Sequence, residues 1–189
     1  MRPLTFFTTF FQQPVSRKTH NFHDIEWSRA VRILLKIIKF IGIALVVLFL
    51  GIQFVRPART NPVVDESQTI FTHTQMPPEV AAIFKRSCAD CHSHKTVWPW
   101  YTNVAPVSWF IANHVDQGRK RLNLSEWTKL DRDRQSKKLQ QICDEVEDGV
   151  MPLSSYLPLH PNAKLSEQDE KTLCAWTAAE RERLSPEAK

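Results

Sequence analysis

An all-α chain, with one membrane-crossing helix ahead of a small helical domain, is what three observations predict. Apolar residues recur at the three- and four-residue spacing of a helix, between recognisable helix starts and stops. No stretch shows convincing strand-like alternation, and no internal repeat is visible. A run from Phe40 to Val55 carries no charge at all. The 189 residues leave room for one globular domain of ordinary size, with some length over for targeting or anchoring.

A net charge of +5 raises the question of a nucleic-acid partner, and the position of the charge answers it. Met1 to Val55 holds seven basic residues and two acidic ones, so of the 25 basic and 20 acidic residues in the chain, 18 of each lie beyond Val55. The basic excess belongs to the N-terminal segment, and no nucleic-acid partner is expected.

Residues 1–32 are mixed, with a Phe-rich start, and read as a cytoplasmic tail. From Ile33 the sequence turns apolar, and residues 33–55 reach the roughly 20 residues that span a bilayer as a helix, with Lys36 and Lys39 placed to snorkel to the headgroups. The basic excess before this run, against only Arg56 and Arg59 just after it, predicts an N terminus in the cytoplasm and the remainder outside. A cut after Ala58 would put Arg56 where a small residue is wanted, so the run reads as a retained signal anchor. Residues 56–75, with Pro, Asn, Thr and Ser and weak periodicity, read as a linker. The folded domain is expected over residues 76–185.

Met76-Pro77-Pro78-Glu79 suits a helix start, because proline's missing N–H costs nothing in the first turn. Val80, Ile83 and Phe84 share a face of that helix, which delivers Cys88 at its end. There stands Cys88-Ala89-Asp90-Cys91-His92, the C-x-x-C-H spacing that attaches a c-type haem. Each thiol would anchor one vinyl group of the porphyrin, and His92 would follow as the proximal iron ligand. A zinc knuckle on Cys88, Cys91 and either His92 or His94 is the alternative. It lacks a second C-x-x-C or a close H-x-x-x-H to complete a tetrahedral site. Covalent haem attachment occurs on the outer side of the bacterial inner membrane, where the charge asymmetry also puts these cysteines.

Val97-Trp98-Pro99-Trp100-Tyr101 is too aromatic for a solvent loop and is expected to wall a haem pocket. Ala105-Pro106 opens a helix with Val107, Phe110, Ile111, His114 and Val115 on one face, ended by Gly118. His114 on that face reads as a core histidine or as a haem contact. Trp109 and Arg119 are further pocket candidates, and the cluster Arg119-Lys120-Arg121 reads as a solvated basic group or as the source of one partner for haem propionates. Asp131 caps a third helix to Asp148, with Leu139, Ile142, Cys143 and Val146 inward. Ser166 to Asp169 resembles a capping box opening a last helix, with Leu173, Cys174, Trp176 and Thr177 inward. Cys143 and Cys174, on inner faces of two helices in an oxidising compartment, read as a disulfide or as two buried thiols.

A six-coordinate haem needs a second axial ligand. Met151, in a Gly-x-Met-Pro turn some sixty residues after His92, is the favoured candidate. His114, His160, His94 and Met76 are the rivals. An open sixth position would turn an electron carrier into a sensor or peroxidase.

The segments Cys88 to Tyr101, Ala105 to Trp109, Gly118-Arg119, Leu122 to Trp127, Val150-Met151-Pro152 and His160-Pro161 to Leu165-Ser166 resemble, in order, the bacterial haem-binding domain family of membrane-tethered, c-type cytochrome-like proteins. The resemblance covers roughly Pro77 to Trp176. It implies a small all-helical, cytochrome-c-like domain with one covalent haem on Cys88, Cys91 and His92, and with Met151 less firmly placed. It names no redox partner. The resulting expectation is a membrane-anchored periplasmic cytochrome that moves single electrons and makes no bonds.

Overall fold

The computed structural model describes residues 22–185, so the part of the expected cytoplasmic tail before Phe22 lies outside the described residues. Helices and turns account for all the regular structure among these residues, and no strand occurs. The chain divides into two compact units between Leu50 and Gly51.

Helix α1 runs Phe22–Ile52. Its Trp27–Ile52 part is long and apolar enough to cross a membrane, at about 39 Å for a 1.5 Å rise against a hydrocarbon core of about 30 Å. The helix begins before the apolar run because Arg29, Arg32 and their neighbours are themselves compatible with a helix. Arg32 reaches back one turn to Ser28 O, 3.1 Å.

Residues 56–75, expected as a linker, are bonded to the helical domain. Arg59 Nη1 donates to Thr102 O at 2.9 Å and Asn61 Nδ2 to Thr96 O at 2.8 Å. A 3-10 turn Glu66–Gln68 is capped by Asp65, and helix α2, Ile70–His73, drives Ile70 into the core with no exposure. One apolar anchor and several side-chain-to-backbone bonds leave no periodic trace in the sequence.

Helix α3, Pro78–Ser87, starts on proline and buries Val80, Ile83 and Phe84. The single turn α4, Ala89–His92, follows at once. A 3-10 turn Trp100–Asn103 leads to α5, Val107–Arg121. This helix continues through Gly118, where the sequence suggested an end. Its apolar face divides between surface and core, since Val107 and Phe110 are exposed while Val115 is buried together with Ser108 and Gly118. A 3-10 segment Leu124–Lys129 buries Leu124 and Trp127.

Helix α6, Arg132–Glu147, is capped by Asp131, whose Oδ1 accepts from Arg134 N at 2.8 Å. Helix α7, Glu167–Leu184, opens with a complete capping box: Ser166 Oγ accepts from Asp169 N, and Asp169 Oδ2 from Ser166 N. Asp169 also pairs with Arg86 on α3, 2.6 Å. The Ser166 backbone N–H above all, then Arg86 and the Ser166 hydroxyl, hold its carboxyl down at about 2. The core joins α3, α6, α7 and the Ile70 and Leu124–Trp127 segments, with Phe84 edge-on to Trp176 at 5.5 Å. Cys143 and Cys174 are bonded as a disulfide between α6 and α7, 31 residues apart in sequence.

Replacing Cys143 and Cys174 together by Ala is expected to lower the unfolding free energy by about 3 kcal/mol, the scale for a loop of this length. Urea denaturation monitored by circular dichroism checks this. The Asp169 contribution is present above its ordinary value of 3.8 and is lost as pH falls towards about 2. Asp169→Asn is therefore expected to flatten the decline of the urea midpoint over that window.

Candidate functional site

The C-x-x-C-H residues occupy the end of α3 and the whole of α4. Cys88 N donates to Phe84 O at 3.0 Å, and His92 N to Cys88 O at 3.0 Å, so both cysteines and the histidine belong to one tight turn. That turn is fixed from outside. Ser93 Oγ donates to Ala89 O at 2.7 Å, Thr96 Oγ1 to Asp90 O at 2.7 Å, and Val97 N to Asp90 Oδ1 at 3.1 Å. From the other side comes Gly118 of α5, where an added Cβ would lie 2.6 Å from Cys91 O. The glycine is there for close approach, which explains why it does not end the helix.

His92 Nδ1 lies 3.0 Å from Leu122 O. A carbonyl only accepts, so Nδ1 carries the proton and Nε2 keeps its lone pair. Burial, the largest effect, holds the imidazole pKa below its ordinary 6.5, which keeps the ring neutral and ready to ligate. Burial likewise pushes the Cys88 thiol up to about 12 and the Cys91 thiol to about 11. Both thiols are therefore protonated near neutrality in the free protein. Among the described residues, the one cluster of three close metal-ligating side chains is Cys143, Glu147 and Cys174, and its two sulfurs are already bonded to each other. Cys88, Cys91 and His92 form no such cluster.

Three cavities surround the turn, and neighbouring ones share walls. The first, about 270 Å³, lies between Phe84, Cys88, His92, Ile142, Val146 and Met151. The second, about 240 Å³, lies between Cys91, His92, His114, Arg121, Met151 and Tyr156. The third, about 140 Å³, is walled by Cys91, Tyr101, Phe110, His114, Tyr156 and His160. Met151 and His92 line the same two cavities. Gly149, at φ 67° after α6, reverses the chain, and Val150 N and Met151 N both donate to Glu145 O at 3.0 and 2.9 Å. The turn thereby sets Met151 against the core beside the cavity.

Of the other sequence candidates, Tyr101 and His114 line the cavity beside Cys91, and His114 donates Nδ1–H to Phe110 O at 2.8 Å. Trp98, Trp109 and Arg119 line a separate open groove of about 640 Å³ with Val55 and Pro57. Arg119 is a structural node there, donating to Ser93 O, Thr60 O, Asn61 Oδ1 and Thr96 Oγ1, all at 2.8–2.9 Å. Trp100 is exposed. Among the histidine rivals, His94 Nε2 accepts from Asn123 Nδ2 at 2.9 Å, and His160 is held between Tyr101 Oη, 3.2 Å, and Tyr156 O, 3.1 Å.

Asp90, Tyr156 and Leu122 join the site without having been singled out in the sequence, whereas Arg121 belongs to the basic cluster that was. Tyr156 Oη donates to Asp90 Oδ2 at 2.6 Å, and its ring stacks on His160 at 3.8 Å. Burial first, then the Asp90 carboxylate, push the Tyr156 phenol far above its ordinary value. The one available signal was that Asp90 lies inside the motif. Arg121 lines two cavities with His92, while Lys120 beside it pairs with Asp116 at 2.7 Å.

In this all-α domain the residues of the C-x-x-C-H turn and Met151 thus stand on the walls of shared cavities. The chain belongs to the Haem-binding domain family, whose model matches residues 47–179. Haem binding is therefore a property of this domain. No curated protein and no solved structure matches the chain.

Gly118→Ala is expected to force α5 off the haem-motif turn and cost about 1–3 kcal/mol, the scale of an overpacked core site. Chemical denaturation of the variant measures it. An unchanged midpoint would mean that the two segments part without penalty.

Proposed function

We propose that the protein holds one haem covalently through Cys88 and Cys91, with His92 as proximal and Met151 as distal ligand, and passes single electrons as a membrane-anchored periplasmic cytochrome. The observation that carries this reading is that His92, with its free nitrogen set by the bond to Leu122 O, lines the same two cavities as Met151. The residues fit the group: the walls supplied by Phe84, Ile142, Val146 and Leu165 are apolar, as a porphyrin face requires. Arg121 is the basic side chain of the Arg119–Arg121 cluster best placed for propionates, because Arg119 and Lys120 have partners elsewhere.

Bound haem would supply a reversible one-electron couple, whose potential a methionine–histidine pair raises relative to two histidines. The chain's own residues bind and orient. Leu122 O increases the basicity of His92 through the Nδ1 bond. Gly118 and the Thr96–Asp90 bonds keep the two sulfurs at fixed separation, and the Asp90–Tyr156 bond closes the side next to Cys91.

The anchor reading rests on α1 and on the basic excess that precedes it. In this account residues 1–32 are the cytoplasmic tail, 33–55 the retained span across a bacterial inner membrane, and 76–185 the periplasmic haem domain, with 56–75 bonded along it. A sensor or peroxidase with an open distal site is the second reading. It is favoured by His114, which lines two of the cavities and uses only Nδ1 in its bond to Phe110 O.

In the haem-loaded protein, Met151→Ala is expected to abolish the weak near-infrared sulfur-to-iron band of the ferric form and to open the ferrous form to carbon monoxide. His114→Ala is expected to leave that band in place. A band that survives Met151→Ala would move the distal ligand to another thioether such as Met76, and carbon monoxide binding by the unsubstituted protein would shift the assignment to the sensor or peroxidase.

A further inference from the structure

The domain carries an exposed apolar patch at the mouth of the cavity next to Cys91. Val97, Val107, Phe110 and Leu159 all line that mouth, and they are 70, 43, 52 and 63 % exposed. Trp100, 77 % exposed, joins them through its ring contact with Tyr101, 5.8 Å between centroids. Contiguous apolar surface of this kind marks an interaction site. Chain connectivity identifies what it meets. Gln53, one residue past α1, clasps Ala105 from both sides: Ala105 N donates to Gln53 Oε1 at 2.9 Å, and Gln53 Nε2 to Ala105 O at 3.1 Å. Consecutive Cα atoms lie about 3.8 Å apart. Ala105, and with it the Trp100–Phe110 stretch, is therefore held within a side chain's length of Gln53, the residue that follows α1 in the chain. Trp is enriched at the membrane interface, where an apolar ring body meets water. Arg59, bonded to Thr102 and Asn103 beside Trp100, adds a positive charge suited to anionic headgroups.

We infer that the Val97–Trp100–Val107–Phe110–Leu159 face is a membrane-docking surface, seated on the outer-leaflet phospholipid interface. The domain thus lies on the bilayer instead of standing off on a tether, and the cavity mouth beside Cys91 opens at the lipid surface. This inference rests on the reading of α1 as a membrane span.

The test uses the haem-loaded full chain in phosphatidylcholine–phosphatidylglycerol vesicles, with nitroxide labels at Trp100→Cys, Leu159→Cys, Lys171→Cys on α7 and Leu45→Cys in α1, each made separately. Relaxation by oxygen is compared with relaxation by a water-soluble nickel complex. The expected result is a several-fold higher oxygen-to-nickel ratio at positions 100 and 159 than at 171, with 45 fully lipid-like. Positions 100 and 159 matching 171 while 45 stays lipid-like would overturn the docking surface alone and give the patch to a protein partner. Water access at 45 as well would overturn the membrane reading together with it.

Discussion

The contact between Gly118 and the backbone of Cys91 is the constraint on which the rest of the site depends. Only a residue without Cβ lets α5 come this close, since an added carbon would sit 2.6 Å from Cys91 O. Once α5 is there, its end places Leu122 O within hydrogen-bonding distance of His92 Nδ1, and Arg121 beside the cavity. Arg119, on the same turn, ties Ser93 and Thr96 to residues 60 and 61. One close approach thus orients the histidine, stiffens the loop after it and binds the chain that follows α1.

The remainder of the frame supplies the opposite wall. Helices α6 and α7, pinned by the Cys143–Cys174 bond and joined to α3 through Phe84, Trp176 and the Arg86–Asp169 pair, form the side of the core from which Met151 projects. Gly149 adopts the left-handed conformation that turns the chain there, a conformation that costs glycine little. The two halves of the site come from segments some sixty residues apart in sequence.

The legible parts of the sequence were those with local causes. Pro78, Asp131 and Ser166 mark helix starts by their own chemistry, and α3, α6 and α7 begin where those residues put them. The haem motif is likewise a local spacing. Residues 56–75 were less readable because their order comes from Arg59, Asn61 and Ile70 reaching distant partners. Periodicity could not tell which way the aromatic stretch faces: Tyr101 lines the cavity, Trp98 turns to another groove and Trp100 points outward. Tyr156 and His160 lie in 3-10 turns and loops with no pattern, and only the fold brings them to Asp90 and Tyr101.

Covalent attachment of one haem at Cys88 and Cys91 is decided by acidified-acetone extraction. The protein is matured in a periplasm that contains the haem-attachment machinery, extracted, and its pellet and supernatant read as alkaline pyridine haemochromes. The expected result is haem that stays with the polypeptide, one per chain with a c-type absorption, and that is lost when both cysteines are replaced by alanine. Haem recovered in the acetone, or colour retained by the double variant, would contradict it.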